Sequence, residues 1–110
     1  MTISYTLGEI FAVYETALKS LKAYEHVDIR GKYFETASMT PSVGFPLISR
    51  LYNDSLRSFV SAEKNYYEKM LAELHSVLGE EFPKHLTLEQ RGEFDLGYYH
   101  RFAALQNSKA

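Results

Sequence analysis

Residues Phe94 to Phe102 read FDLGYYHRF, with two tyrosines, a histidine and an arginine in a row. These residue types move protons and hold oxyanions in active sites. Spacing decides whether they act together. At about 100° per residue, Tyr99 and His100 point a quarter-turn apart on a helix and do not face one substrate. On that wheel Leu88, Gly92, Leu96, Tyr99, Phe102 and Ala103 share one face, widened by Phe94, Tyr98 and Leu105. His100 lies on the other side with Glu89, Glu93 and Arg101. The segment reads as a buried aromatic knob beside a surface histidine; the alternative is an acid–base pair of His100 and Glu93. Gly92 and Gly97 cost helix propensity, which predicts close approach of a neighbouring backbone. Arg91 and Asp95, an i, i+4 pair inside the apolar arc, read as a partly buried salt bridge or, with Tyr98, as a contact to a partner chain.

Metal chemistry needs imidazoles and carboxylates at helical spacing. His26, His75, His85 and His100 form neither H-x-x-x-H nor H-E-x-x-H, and the paired E-x-x-H of a di-iron bundle is missing. The chain also has no phosphate-cradling glycine loop, no G-x-S-x-G elbow and no cysteine. The sequence assigns no catalytic residue, no metal ligand and no cofactor, so the expectation is a protein that is not an enzyme.

A basic stripe is the other chemical pattern. Arg50, Arg57 and Lys64 stand at i, i+7 and i+14, within about 40° of one another on a continuous helix. Such a stripe spans about 21 Å at 1.5 Å per residue, enough to follow successive phosphates of a single strand. Lys19, Lys22 and Arg101, with Arg30 and Lys32, would extend the surface if the fold gathers them. The stripe reads either as a solvated polar face or as an anion-binding face.

The elements that must position these residues are helical. Leu7, Ile10, Phe11, Tyr14, Ala17, Leu18 and Leu21 carry the i, i+3, i+4, i+7 pattern of an amphipathic helix over Ser4 to Tyr24, with Glu9, Glu15, Lys19 and Lys22 opposite. Asp28 caps a short second helix through Ala37. Thr40 and Pro41 start a third, with Pro46 inside it, running to about Ala62. A fourth, Glu63 to Leu78, buries Tyr67, Met70, Leu71, Leu74, Val77 and Leu78 and stops at Gly79. TLEQ is a capping box, Thr87 with Gln90, opening a fifth helix to about Gln106; the tail NSKA frays. No strand alternation and no repeat is found. The fold class is all-α, a compact bundle of four to five helices forming a single domain over residues 1–110.

Composition agrees. A chain of 110 residues, 45% hydrophobic and 15% aromatic, can build one small core. Net charge is −2, so contact with nucleic acid must come from a local stripe rather than from the field of the whole molecule. The N-terminus does not read as a signal peptide, and no apolar run is long enough to span a membrane. The lack of cysteine is compatible with a reducing cytoplasm, the expected location.

The stretches LGEIFAVYE, IRGKYFETASMTPSVGFPLISRL, YYEKMLAEL and FPKHLTLEQRGEFDLGYYHR occur here in fixed order. In that order and spacing the chain resembles the C-terminal part of the type I-C CRISPR large subunit, from Leu7 to Arg101. FPKHL combined with LGYYH is the most specific part. Such systems also make this region as a separate small subunit, and a chain of this length opening just before YTLGEIF looks like that product. The resemblance implies a place in an RNA-guided surveillance complex (Cascade) beside backbone subunits, the large subunit, other small subunits and the guide RNA. It implies a role in holding unwound target DNA, chiefly the displaced strand, and thereby in stabilising the R-loop. A spacer that joins neighbouring subunits without touching DNA is the alternative.

Overall fold

A computed structural model describes residues 2–79 and 82–108. Helix α1, Ile3–Lys19, begins where the Thr2 hydroxyl accepts the Tyr5 N–H at 3.1 Å. A 3₁₀ turn at Lys22–Tyr24 leads to α2, Ile29–Met39, capped by the Asp28 carboxylate on the Gly31 N–H at 2.9 Å. Helix α3, Pro41–Asp54, has Pro41 in its first turn, where the missing N–H has no helical partner to lose. Pro46 sits inside α3 without ending it. Helix α4, Ser61–Leu78, stops at Gly79, which takes a φ of 83° that glycine alone adopts without strain. Helix α5, Leu88–Ser108, opens with the expected capping box: Thr87 Oγ1 accepts the Gln90 N–H at 3.1 Å, and Gln90 Oε1 accepts the Thr87 N–H at 2.8 Å. There is no strand among the described residues, and the architecture is the all-α bundle of the sequence reading.

Helix α1 is the axis of the molecule, buried from Thr6 to Leu18 on every side. Its most extensive neighbour is α5, followed by α4 and α3, with α2 against its C-terminal half and against α5. Two glycines let α1 and α5 touch backbone to backbone. A Cβ on Gly8 would fall on the Phe94 carbonyl oxygen and 2.7 Å from the Tyr98 nitrogen. A Cβ on Gly97 would fall on the Tyr5 carbonyl and 2.8 Å from its carbon. Gly97 thus does what its helix cost predicts. Gly92 does not, because nothing lies within 4 Å of it. The connector before α5 is tied across the α2–α3 corner, where Leu86 N–H donates to the Met39 carbonyl and Ser42 N–H to that of Pro83. The radius of gyration, 13.1 Å, matches the roughly 13 Å of a compact chain of this length.

Several boundaries and faces differ from the sequence reading. The amphipathic run from Ser4 is not one helix to Tyr24, because α1 ends at Lys19. Its charged side is solvated only in part: Glu9 and Glu15 are buried, whereas Lys19 and Lys22 are exposed. The third helix ends at Asp54 rather than near Ala62, and a 3₁₀ turn at Leu56–Ser58 precedes α4. The Ser55 hydroxyl folds back on the Leu51 carbonyl at 2.8 Å, and extended backbone at Phe59 turns that ring into the core between Tyr52 and Tyr67. Packing of one aromatic ring sets the break, and no glycine or proline marks it. In α4, Tyr67, Leu71 and Leu74 are buried as expected, whereas Val77 is exposed. In α5 the buried face is Phe94, Gly97, Tyr98 and Leu105, while Leu88, Leu96 and Tyr99 face outward. The tail expected to fray falls partly on residues 109–110, outside the described residues; α5 itself continues through Ser108.

Candidate functional site

The six cations of the sequence reading separate into two groups. Arg50 lies near the end of α3, Arg57 in the second 3₁₀ turn and Lys64 in the first turn of α4. All three are exposed, as is Lys22, and none pairs with a described carboxylate. They do not share one helix, so the i, i+7, i+14 register and the straight 21-Å rail built on it do not apply. What the fold retains is three solvated positive charges along a bent path from α3 to α4.

Arg101 and Lys19 belong to the second group, whose charge is used inside the molecule. Arg101 donates from Nε and Nη2 to Glu9 Oε2, at 3.0 and 2.6 Å, with only 29% of its side chain exposed. Lys19 Nζ donates to the carbonyls of Glu25 at 2.9 Å and Val27 at 2.8 Å, clamping the turn between α1 and α2. Both are structural before they are anything else.

The residues read as partner contacts also separate. Tyr98 is 0% exposed, so it cannot touch a partner chain from its place in the core. Its hydroxyl donates to the buried carboxylate of Glu15, and its ring meets Phe11, Phe34 and Phe102. Arg91 and Asp95 form no ion pair within 4 Å among the described residues. Burial raises the Asp95 carboxyl above its ordinary value, and the positive charge of Arg91 works against that rise. The outward face of α5 instead carries Leu88, 82% exposed, with Leu96 and Tyr99. His100 is exposed, and its Nδ1 lies 2.7 Å from the Tyr5 hydroxyl.

The electrostatic centre of the fold is Arg30, on the first turn of α2. Its Nε is 4.0 Å from Glu15 Oε2, its guanidinium stands 5.6 Å over the Tyr98 ring, and Nη1 donates to the Tyr99 hydroxyl at 3.4 Å. Burial raises the Glu15 carboxyl above its ordinary range, although the Tyr98 hydrogen bond and the charges of Arg30 and Lys19 oppose the rise. Burial and the Glu15 charge push the Tyr98 phenol up, so it is the donor in this pair. Burial beside Glu68 pushes Tyr14 up to about 12 as well.

Beside this centre is a cavity of about 400 Å³ between the C-terminal half of α1, the start of α2 and the end of α5. Thr16, Lys19, Ile29, Arg30, Phe102 and Gln106 are among its lining residues. The Thr16 hydroxyl is buried behind this wall and has no hydrogen-bond partner among the described residues. Sequence reasoning missed this site, because its residues come from three helices and no motif links them. Among the described residues no group of three His, Asp or Glu side chains could hold a metal ion. No helix of the described residues is long and apolar enough to cross a membrane.

One family model, described as CRISPR-associated protein (Cas_Csd1), matches residues 1–106. Comparison with curated proteins gives no match.

Proposed function

Because the chain belongs to the Cas_Csd1 family of CRISPR-associated proteins, we propose that it is a non-catalytic small subunit of a type I-C effector complex in the cytoplasm. In this reading it lies against the backbone subunits, the large subunit and other small subunits, and it stabilises the R-loop by holding unwound target DNA, chiefly the displaced strand. The guide RNA reads the sequence by base pairing, and the protein supplies charge that follows a backbone. The observation that carries the reading is the family match together with four exposed cations, Arg50, Arg57, Lys64 and Lys22, that pair with no carboxylate among the described residues. A net charge of −2 is compatible with it, because affinity is shared among linked subunits.

The test is target-DNA binding by the guide-loaded complex, with and without this chain, over a salt series. The chain should tighten binding. Arg50→Glu/Arg57→Glu/Lys64→Glu should abolish that gain and flatten the salt dependence by about 2 in the log–log slope, at roughly 0.7 per single-strand phosphate contact. Equal binding with the reversed chain rejects these three cations as the DNA contact, and equal binding with and without the chain rejects the DNA-holding role.

The outward apolar residues Leu88, Leu96 and Tyr99 favour a second reading, a spacer that joins neighbouring subunits without touching DNA. Leu96→Glu leaves the α1–α5 contact alone, so loss of incorporation into the complex with that variant, combined with no effect of the charge reversal, selects the spacer.

A further inference from the structure

The outward side of α5 carries an apolar band that this chain leaves uncovered. At about 100° per residue, Leu88, Tyr99, Gly92, Ala103 and Leu96 fall within roughly 80° of the helix wheel and run about 22 Å along it. Leu88 is 82% exposed, and Leu96 and Tyr99 are each more than half exposed. Gly92 stands in the middle of the band, with nothing within 4 Å of the place its Cβ would take. Glycine weakens a helix interior. At Gly97 the close contact with α1 accounts for that cost, and at Gly92 nothing in the chain does. Leu88 and Leu96 flank Gly92 at i−4 and i+4, so the glycine leaves a notch one side chain wide in a straight ridge. Tyr99 beside the notch is already ordered. Its ring packs edge-on against Tyr98 at 4.9 Å, and its hydroxyl accepts from Arg30 Nη1 at 3.4 Å.

Charge along the band is uneven. On one edge stand Glu89 and Glu93, which pair with no cation among the described residues, and His100, whose Nδ1 is engaged with the Tyr5 hydroxyl. On the other edge Arg91, one turn away, offsets the charge of Asp95. A notched i, i+4 ridge is complementary to another helix, whose side chains enter it as ridges enter grooves. The unpaired acids require a positive flank on that helix. A second copy docked through the same band would set acid against acid. The exposed apolar residues of α3, Val43 and Leu47, share their face with Asp54 as well as Arg50, so they offer no uniformly basic flank. We propose that the band docks an amphipathic helix of a different subunit of the effector complex, with a large apolar side chain seated at Gly92 and Lys or Arg along the flank that meets Glu89 and Glu93. The inference deepens the subunit-joining reading and rests on it, by naming the shape and charge of the partner segment.

Complex prepared without this chain is titrated with the full chain and its variants, and incorporation is measured. Gly92→Met adds helix propensity and projects into open space, so its Tm should be no lower than the parent's, while its affinity for the complex falls about tenfold. Glu89→Gln/Glu93→Gln should weaken incorporation about fivefold at low salt and flatten its salt dependence. Leu88→p-benzoylphenylalanine identifies the occupant by cross-linking. The cross-link should fall on a different subunit, in a segment with apolar residues at i, i+4 and Lys or Arg beside them. If Leu96→Glu blocks incorporation while Gly92→Met and the double Gln variant enter like the parent, the helix docking is wrong and the subunit-joining reading stands. If Leu96→Glu also enters like the parent, both fail. A cross-link to a second copy, or self-association of the isolated chain that Gly92→Met abolishes, overturns the assignment to a different subunit. A cross-link to DNA overturns protein docking at this face altogether.

Discussion

Arg101 places two N–H donors on one carboxylate oxygen of Glu9, joining α5 to the middle of α1. Glu9 is only 7% exposed, so little water could take the place of this partner. Arg101→Ala therefore strands a buried acid and should lower stability by about 2 kcal/mol, less than a fully enclosed pair because Arg101 is partly solvated. Glu9→Met/Arg101→Met, which removes both charges, should recover most of that loss. Urea unfolding of the three variants measures it, and a single variant as stable as the parent would show that the pair carries no stabilising charge. Any loss of DNA affinity in Arg101→Ala must be read against this folding defect.

The α1–α5 seam gives a second expectation. Gly8→Ala and Gly97→Ala each drive a methyl group into backbone of the facing helix, which cannot swing aside. Each should cost about 1–3 kcal/mol. Gly92→Ala, with open space around it, should instead gain about 0.5–1 kcal/mol from helix propensity alone. Thermal unfolding of the three single variants separates the two cases, and equal shifts for Gly92 and Gly97 would contradict the close approach.

Glu15 makes stability depend on pH in a defined direction. Its carboxyl is raised in the folded state from an ordinary value of 4.5, mainly by burial. Between those two values the folded protein holds more protons than the unfolded chain, so stability falls as pH rises through the window and is level above it. Tyr98, Arg30, Lys19 and Asp28 are the titratable groups that act on it. Glu15→Gln keeps an acceptor for the Tyr98 hydroxyl and cannot ionise. It should flatten the fall and raise stability above the window relative to the parent. Asp95 is raised in the same sense, so a smaller slope remains. Unfolding free energies from about pH 4 to about pH 8, which start near the ordinary carboxyl value and run above it, check the sign; a parent slope that rises with pH through this window would be the opposite of the expectation.

How legible the molecule was in its sequence varies by the kind of signal. Helix starts were written locally: Asp28 with Gly31, and Thr87 with Gln90, bond as their spacing predicts. The all-helical class follows from apolar period alone. Faces were harder, because period does not fix phase when polar residues are buried in pairs. Glu9 and Glu15 look solvent-facing on the α1 wheel until Arg101 and Tyr98 arrive from another helix. The same exchange turns α5, burying the arc of Phe94, Gly97 and Arg101's stem and leaving Leu88, Leu96 and Tyr99 outside. The basic stripe was legible as composition but not as geometry. It assumed one helix through Ser55 to Val60, where Phe59 packs between Tyr52 and Tyr67 and ends the regular backbone.

The pairing of α1 with α5 has a consequence for how the molecule is made. Helix α1 leaves the ribosome before α5 and waits for it before its buried side is covered. Contacts so distant in sequence form late and leave apolar surface open to other chains in the meantime. During that interval Glu9 and Glu15 are hydrated anions on the very surface that α5 will cover. They keep the nascent α1 from presenting an unbroken greasy flank, and Arg101 and Tyr98 then convert them from solubilising groups into bonds of the finished core.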